Sequence, residues 1–254
     1  MKRSTFRKSS LISSVALLLV AIVALSGATF AWFSSNESTT ASGIQMKASA
    51  ASGLYIANSA ETAIGKIPDT AWKGSISFGH NLSMAKPTSP DFKSMTAPTF
   101  ITTKTDRADG VYVDAALEDA EQNKDYIAES IWVKGDANAE KSTLKATVTI
   151  AGSKVKGYER VALYDYTTQT LKVLAKTDVD SYTTLIKDAD GKAATGQTLD
   201  PAAVSADGFN VDTNWDETAG RHFMLYVWFE GQDASCYNAN SGADFNVTIG
   251  FELV

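Results

Sequence analysis

Two histidines, one cysteine and a few carboxylates beside glycine are the side chains whose chemistry could reach beyond packing. His80 and His222 stand alone, and no H-E-x-x-H pattern accompanies them, so a zinc peptidase centre lacks its ligands. His222 opens an apolar run and reads as a surface or structurally satisfied residue. Asp188-Ala189-Asp190-Gly191 has the outline of a calcium loop. Placing Gly191 at the sixth position of an EF-hand puts Ile186 and Gln197 where carboxylates are required, so that reading fails. A plain Asp-Gly turn accounts for the segment, with an irregular calcium site as the other reading. Glu230 and Asp233 flank Gly231-Gln232 and could be imagined as the acid and base of a glycosidase. Such pairs work at about 5 Å or about 6.5–9.5 Å across a sugar-sized cleft, and a strand-end turn explains the same residues. Cys236 has no histidine near it in sequence and reads as a buried, inert thiol. Neither G-x-S-x-G nor a P-loop is present. The expectation is a protein without a catalytic site, a metal or a cofactor.

Aromatic side chains offer a second kind of chemistry. Exposed tryptophans stack on sugar rings, and Trp72, Trp132 and Trp215 are the candidates. Trp132 alternates within a strand pattern, which favours core packing. Trp215, flanked by the polar Asn214 and Asp216, is the best candidate ligand-binding residue of the three.

The elements that must position these residues are strands. Leu144, Ala146, Val148 and Ile150 alternate with polar residues, as do Phe245, Val247, Ile249, Phe251 and Leu253. Ile127, Ile131 and Val133 share one side of a third segment, with Glu129 as the exception. Residues 161–164 and 171–174 predict a hairpin around Asp165-Tyr166-Thr167-Thr168-Gln169. Phe223 to Phe229 is apolar on both faces, as a central strand covered on each side should be. Residues 44–46, 54–56, 75–78 and 99–102 are shorter strand candidates. Three prolines between Lys86 and Pro98 predict a surface loop, and Lys187 to Asn210 a second. One short helix is expected from about Asp114 to Lys124. The fold class that follows is all-β, an antiparallel β-sandwich of jelly-roll type with one short helix and long surface loops.

The N-terminus carries an address. Lys2, Arg3, Arg7 and Lys8 precede an uncharged run from Leu11 to Leu25, which gives way to Ser26-Gly27-Ala28-Thr29-Phe30-Ala31. A basic head, an apolar middle and a small-residue exit make a secretory signal peptide. The apolar run falls short of the roughly 20 residues of a membrane-spanning helix. Cleavage is expected between Ala31 and Trp32, which leaves residues 32–254 as one β-sandwich domain. An uncleaved N-terminal helix anchoring the domain is the alternative. Four of the 23 basic residues and none of the 29 acidic ones lie in residues 1–31, so the remainder carries a formal charge of −10. That surface repels phosphate backbones and makes nucleic acid an unsuitable partner. A single cysteine excludes an internal disulfide, so stability must come from packing.

Gly27-Ala28-Thr29-Phe30-Ala31-Trp32-Phe33-Ser34-Ser35, followed by Ala41-Ser42-Gly43-Ile44-Gln45-Met46, resembles the N-terminus of the TasA/camelysin group. These are secreted bacterial proteins processed by a signal peptidase of the SipW kind. Tyr226 to Cys236 is similar to a strand-turn segment of related exported surface proteins. The resemblance covers roughly the leader and the last thirty residues, and the middle of the chain rests on pattern alone. It implies a jelly-roll sandwich placed at the cell surface or in the extracellular matrix of a biofilm. It also implies a homo-oligomer, or assembly with other matrix proteins, into fibres by donor-strand exchange. Trp32, Phe33, Ile44 and Met46 would be the anchoring groups of residues 32–46. Ile44 and Met46 fit equally the first strand of their own domain. Camelysin-type members carry a metallopeptidase label, but without zinc ligands that activity is not carried over. The expected function is a non-enzymatic exported surface or matrix protein, a fibre-forming subunit. A carbohydrate-binding or adhesive module with glycans as partners is the alternative.

Overall fold

Alternation with period two turns directly into buried rows. The computed structural model describes residues 40–51, 53–83, 88–91, 99–103, 117–136, 143–152, 157–175, 182–187, 193–199, 202–203, 208–213, 215, 219–230 and 246–254. In β1 (Thr40–Ala50), Ile44, Met46 and Ala48 are buried while Gln45 and Lys47 are exposed. Their row faces β2 (Leu54–Asn58), the other strand of the chain's opening, from the opposite side of one shared core.

The remaining strands complete four sheets. They are β3 (Ser75–Ser83), β4 (Thr88–Asp91), β5 (Thr99–Thr103), β6 (Leu117–Asp119), β7 (Tyr126–Gly135), β8 (Leu144–Ala151), β9 (Glu159–Asp165) and β10 (Thr170–Ala175). After them come β11 (Tyr182–Lys187), β12 (Ala193–Leu199), β13 (Ala202–Ala203), β14 (Phe209–Asp212), β15 (Arg221–Phe229) and β16 (Asn246–Leu253). A five-stranded sheet runs β14-β8-β16-β1-β3 and a six-stranded sheet β13-β10-β9-β15-β7-β2. Two small sheets, β4-β5-β6 and β11-β12, accompany them.

The two large sheets bury one core between them, so the molecule is an all-β sandwich. Val148, Val247, Ile249 and Phe251 of one sheet meet Ile131, Val161, Leu225 and Val227 of the other. Each such side chain, moved from water to full burial, contributes about 1.5–3 kcal/mol before entropy is subtracted. Pairing is antiparallel except at β1–β16 and β10–β13, which run parallel. These two pairings depart from a wholly antiparallel jelly roll.

β15 is covered on both faces, as its unbroken apolar run requires. Phe223, Leu225, Val227 and Phe229 point into the sandwich. Tyr226 and Trp228 point outward, where Phe100 of β5 covers them. Phe100 also stacks on Tyr126 with centroids 4.3 Å apart. The predicted hairpin is present: β9 pairs with β10, and the Asp165 carboxylate accepts the Thr167 N–H at 2.8 Å to fix the turn.

Three expectations are corrected. No helix occupies residues 114–124 where that segment is described; Leu117–Asp119 is a strand paired with β5. Beyond it, the Asp125 and Lys124 N–H groups donate to the Glu121 carbonyl in a hydrogen-bonded turn. Asn123, at a φ of 63°, closes that turn, and the Asp125 carboxylate accepts the Glu121 N–H. The segment 86–98 contains β4, where Pro90 is tolerated because β4 is an edge strand. The segment 187–210 contains β12 and β13 and enters β14. β12 is joined to β11 by backbone hydrogen bonds, which need no apolar row to form.

Residues 39–254 form one compact unit. The expected leader, its expected cleavage point at Ala31–Trp32, and Phe33 lie outside the described residues. So do Asp188–Gly191, Asp233 and Cys236. Among the described residues no helix is long and apolar enough to cross a membrane.

Candidate functional site

The hairpin turn after β9 folds onto the first residue pair of β15 and builds a cleft at that end of the six-stranded sheet. The Tyr166 N–H donates to the His222 carbonyl at 3.1 Å, which brings the Tyr166 ring over the His222 imidazole. The rings stack with centroids 4.2 Å apart, and Trp132 of β7 stacks on the other imidazole face at 4.4 Å. His222 thus sits between two aromatic planes. β7 and β15 are paired in a register that sets His222 opposite Trp132, so this ladder follows from strand pairing.

The outer face of β7 is held by the chain that follows β2. Trp132 Nε1 donates to the Glu61 carbonyl at 3.0 Å. Two 3-10 turns, Ile64–Lys66 and Asp69–Ala71, place Ile64, Ile67 and Ala71 over Trp132 and Ala57. Trp72 joins this cluster with Lys134 Nζ 4.3 Å from its ring centre.

Beneath the ladder lies a charged triad. Arg221 Nε donates to Asp165 Oδ2 at 3.1 Å and Arg221 Nη1 to Asp212 Oδ2 at 2.9 Å. The Arg221 and Asp165 side chains are only 10% and 6% exposed, so each needs the other to avoid an uncompensated buried charge. Asp165 therefore does two jobs, fixing the turn with one oxygen and Arg221 with the other.

The cleft has a volume of about 330 Å³ and is lined by Trp132, Tyr166, Asp212, Trp215, Arg221 and His222, among others. Gly220, at a φ of 63°, borders it; a Cβ there would stand 2.4 Å from Ile64 Cδ1.

Ser130 Oγ and His222 Nε2 lie 2.8 Å apart, the spacing of a nucleophile and its base. The proton inventory runs the other way. Ser130 gives its only proton to the Ser59 carbonyl, which can only accept, so His222 must donate its Nε2–H to Ser130. A neutral imidazole protonated at Nε2 has no lone pair there to take the serine proton. Burial lowers the His222 pKa, partly opposed by the nearby Asp165 charge, which keeps the ring neutral.

The structure redistributes the sequence candidates. Trp215 is not an exposed platform: it is 0% exposed and belongs to the core between the sheets, although it also lines the cleft. Its polar sequence neighbours, Asn214 and Asp216, carried no information on what lies above it in space. Trp132 is buried, as its alternation predicts. Glu230 is fully buried, accepting the Trp228 indole N–H at 2.9 Å, and donates its own N–H to the Tyr158 carbonyl. Ile44 and Met46 are buried in their own domain at 0% and 1% exposure.

His80 is bound to Glu129, which explains the one polar residue on the inner side of β7. Among the described residues, no three His, Cys, Asp or Glu side chains come together as a metal site. Sequence reading missed Tyr166, Asp212 and Arg221. An aromatic at a turn tip, Tyr166 in Asp165–Gln169, was the available signal.

Fold and cleft together define the class, an all-β sandwich with an aromatic-lined cleft at one end. Comparison with protein-family models, curated proteins and solved structures finds no match.

Proposed function

We propose that this chain is a non-enzymatic exported surface or matrix protein, a subunit that assembles into fibres by exchanging its leading strand between copies. The observation that supports it most is the placement of β1. This strand comes first among the described elements yet lies inside its sheet, parallel to the C-terminal β16 on one side and antiparallel to β3 on the other. Withdrawing it opens two strand edges and a slot shaped for Ile44, Met46 and Ala48. An identical β1 from a second copy fits that slot by construction, with the same backbone bonds and the same anchors. Gly53, at a φ of 86°, follows within three residues of the end of β1, where the chain turns into the other sheet and a hinge is available. The basic, apolar and small-residue order of residues 1–31 supports export.

A staple tests the exchange. Ser49 and Gly250 are register partners of β1 and β16, and a Cβ built on Gly250 lies 4.0 Å from Ser49 Oγ. Ser49→Cys with Gly250→Cys, in a Cys236→Ser background, locks β1 into its own copy on oxidation. Electron microscopy of the exported chain is expected to show fibres from the reduced protein and single particles from the oxidised one. Equal fibres from both would reject strand exchange by β1. Mass spectrometry of the exported protein tests the leader, with a first residue of Trp32 expected.

A further inference from the structure

We infer that the open edge of β3 pairs antiparallel with the same edge of a second copy, centred on Gly79, and joins two five-stranded sheets into one. The inference does not rest on strand exchange. Only the other edge of β3 touches β1, so the open edge is the same whichever copy supplies that strand.

Register shows which backbone groups this edge offers. One step beyond the Ser49–Ser75 pair, the Ala50 N–H donates to the Gly74 carbonyl at 2.9 Å. Bonded and unbonded pairs alternate along an antiparallel ladder. Ile76, Phe78 and His80 therefore turn their backbone groups to β1, and Ser75, Ser77 and Gly79 turn theirs away from it. Lys73 has the same parity and the same outward direction: its N–H and carbonyl pair with Ile56 of β2. Beyond Lys73, the N–H and carbonyl groups of Ser75, Ser77 and Gly79 have no backbone partner among the described residues.

Edge strands are ordinarily protected from other chains by shortness, charge, proline or a bulge. The other ends of the two large sheets follow that rule. β13 has two residues, β14 has four with a register shift between Asn210 and Asp212, and β2 is capped at Ile56 by Lys73. β3 runs nine residues, from Ser75 to Ser83, without a lysine, arginine, carboxylate or proline. It is the long, unguarded end.

The order of residues in β3 selects a second copy as the occupant. In antiparallel pairing about Gly79, that glycine meets its own counterpart, Phe78 meets His80, Ser77 meets Asn81, Ile76 meets Leu82 and Ser75 meets Ser83. Apolar or aromatic residues thus stand opposite one another, and so do the small or polar ones, so the apolar rows of two copies continue without a break. A strand of unrelated sequence would need no such symmetry. Ile76 and Phe78 pack against the core yet stay partly exposed, which leaves apolar surface for the second copy to cover. A two-fold axis through Gly79 closes the interface at two copies, so it adds a dimer and not a fibre.

Two cysteine variants of the exported chain, each in a Cys236→Ser background, read the register. Cα atoms of a bonded antiparallel pair lie about 5.5 Å apart, within disulfide reach, so Gly79→Cys is expected to form covalent dimers on oxidation. A Cβ there meets only the Gln45 side chain, at 3.4 Å. Ser77→Cys stands roughly 13 Å from its own counterpart and is expected to stay uncrosslinked on the same gel. Sedimentation of the oxidised Ser49→Cys, Gly250→Cys protein, in which strand exchange is blocked, separates the two modes of assembly. Dimers that grow with concentration are expected, and Ser77→Pro should abolish them, because it removes an outward N–H and none that β1 uses. Should that variant not fold, Gly79→Lys takes its place by setting like charges opposite each other on the axis. The inference is overturned if the stapled protein is monomeric at every concentration, if its dimers survive both substitutions, or if Ser77→Cys cross-links as readily as Gly79→Cys. Fibres from the reduced protein without such dimers would reject this pairing and leave strand exchange standing.

Discussion

His80 and Glu129 join the two large sheets through one contact, with His80 Nε2 2.7 Å from Glu129 Oε1. His80 lies on β3 and Glu129 on β7, so the bond crosses the sandwich at its β3–β2 end. Asn58 Nδ2 donates to the second Glu129 oxygen at 2.7 Å, and both carboxylate oxygens are thereby occupied.

Removing the acceptor strands two donors, whereas removing the histidine strands fewer groups. Glu129→Ala is expected to cost about 2 kcal/mol and His80→Ala about 1 kcal/mol in urea unfolding. Their double mutant should be less destabilised than the sum by about 0.5 kcal/mol or more, because the two residues share one interaction. Strict additivity would show that the contact contributes nothing to stability.

Acid should loosen the Tyr166 end of the molecule through His222. Burial between Trp132 and Tyr166 holds its pKa below the ordinary 6.5, against the opposing charge of Asp165. Between the folded pKa and 6.5, the unfolded state binds more protons than the folded one. Stability therefore rises with pH through that window and is lost as pH falls below about 6.5, until the folded ring also protonates. His222→Gln removes this titration, so the variant's unfolding midpoint should vary less between pH 7 and pH 5 than that of the wild type. Equal pH dependence in both proteins would exclude His222 as the source.

Gly208 precedes β14 at a φ of 67°, and a Cβ there would lie 2.4 Å from the Ala146 carbonyl oxygen and 2.7 Å from Thr147 Oγ1. The first of these atoms is backbone of β8, fixed by its pairing with β16, and cannot step aside. Gly208→Ala combines a left-handed conformation with this collision and is expected to cost at least about 2 kcal/mol. Thermal unfolding measures it. A variant as stable as the wild type would mean that β14 can leave the edge of its sheet without loss.

Much of the architecture was legible because strand periodicity is local. Leu144 to Ile150 and Val247 to Leu253 announce their buried rows without reference to any partner, and Asp165 announces its turn. The segment 114–124 misled because alanine and acidic residues suit a helix, while pairing of Leu117–Asp119 with β5 decided otherwise. β12 was hidden for the opposite reason, since Ala193-Ala194-Thr195-Gly196 carries no apolar row to betray a strand.

The candidate site was far less legible. Glu129 reads as a flaw in an apolar pattern until His80 arrives from 49 residues away, and Ser130 meets His222 across 92. By itself the sequence determined where the principal strands extend and which side of each is apolar. The tertiary structure decided that Trp215 is buried, that His222 is a stacked neutral donor, and that Arg221 holds two carboxylates at the base of a cleft. Spacing along a strand fixes the face on which a side chain stands; only the order in which strands pair fixes what that face meets.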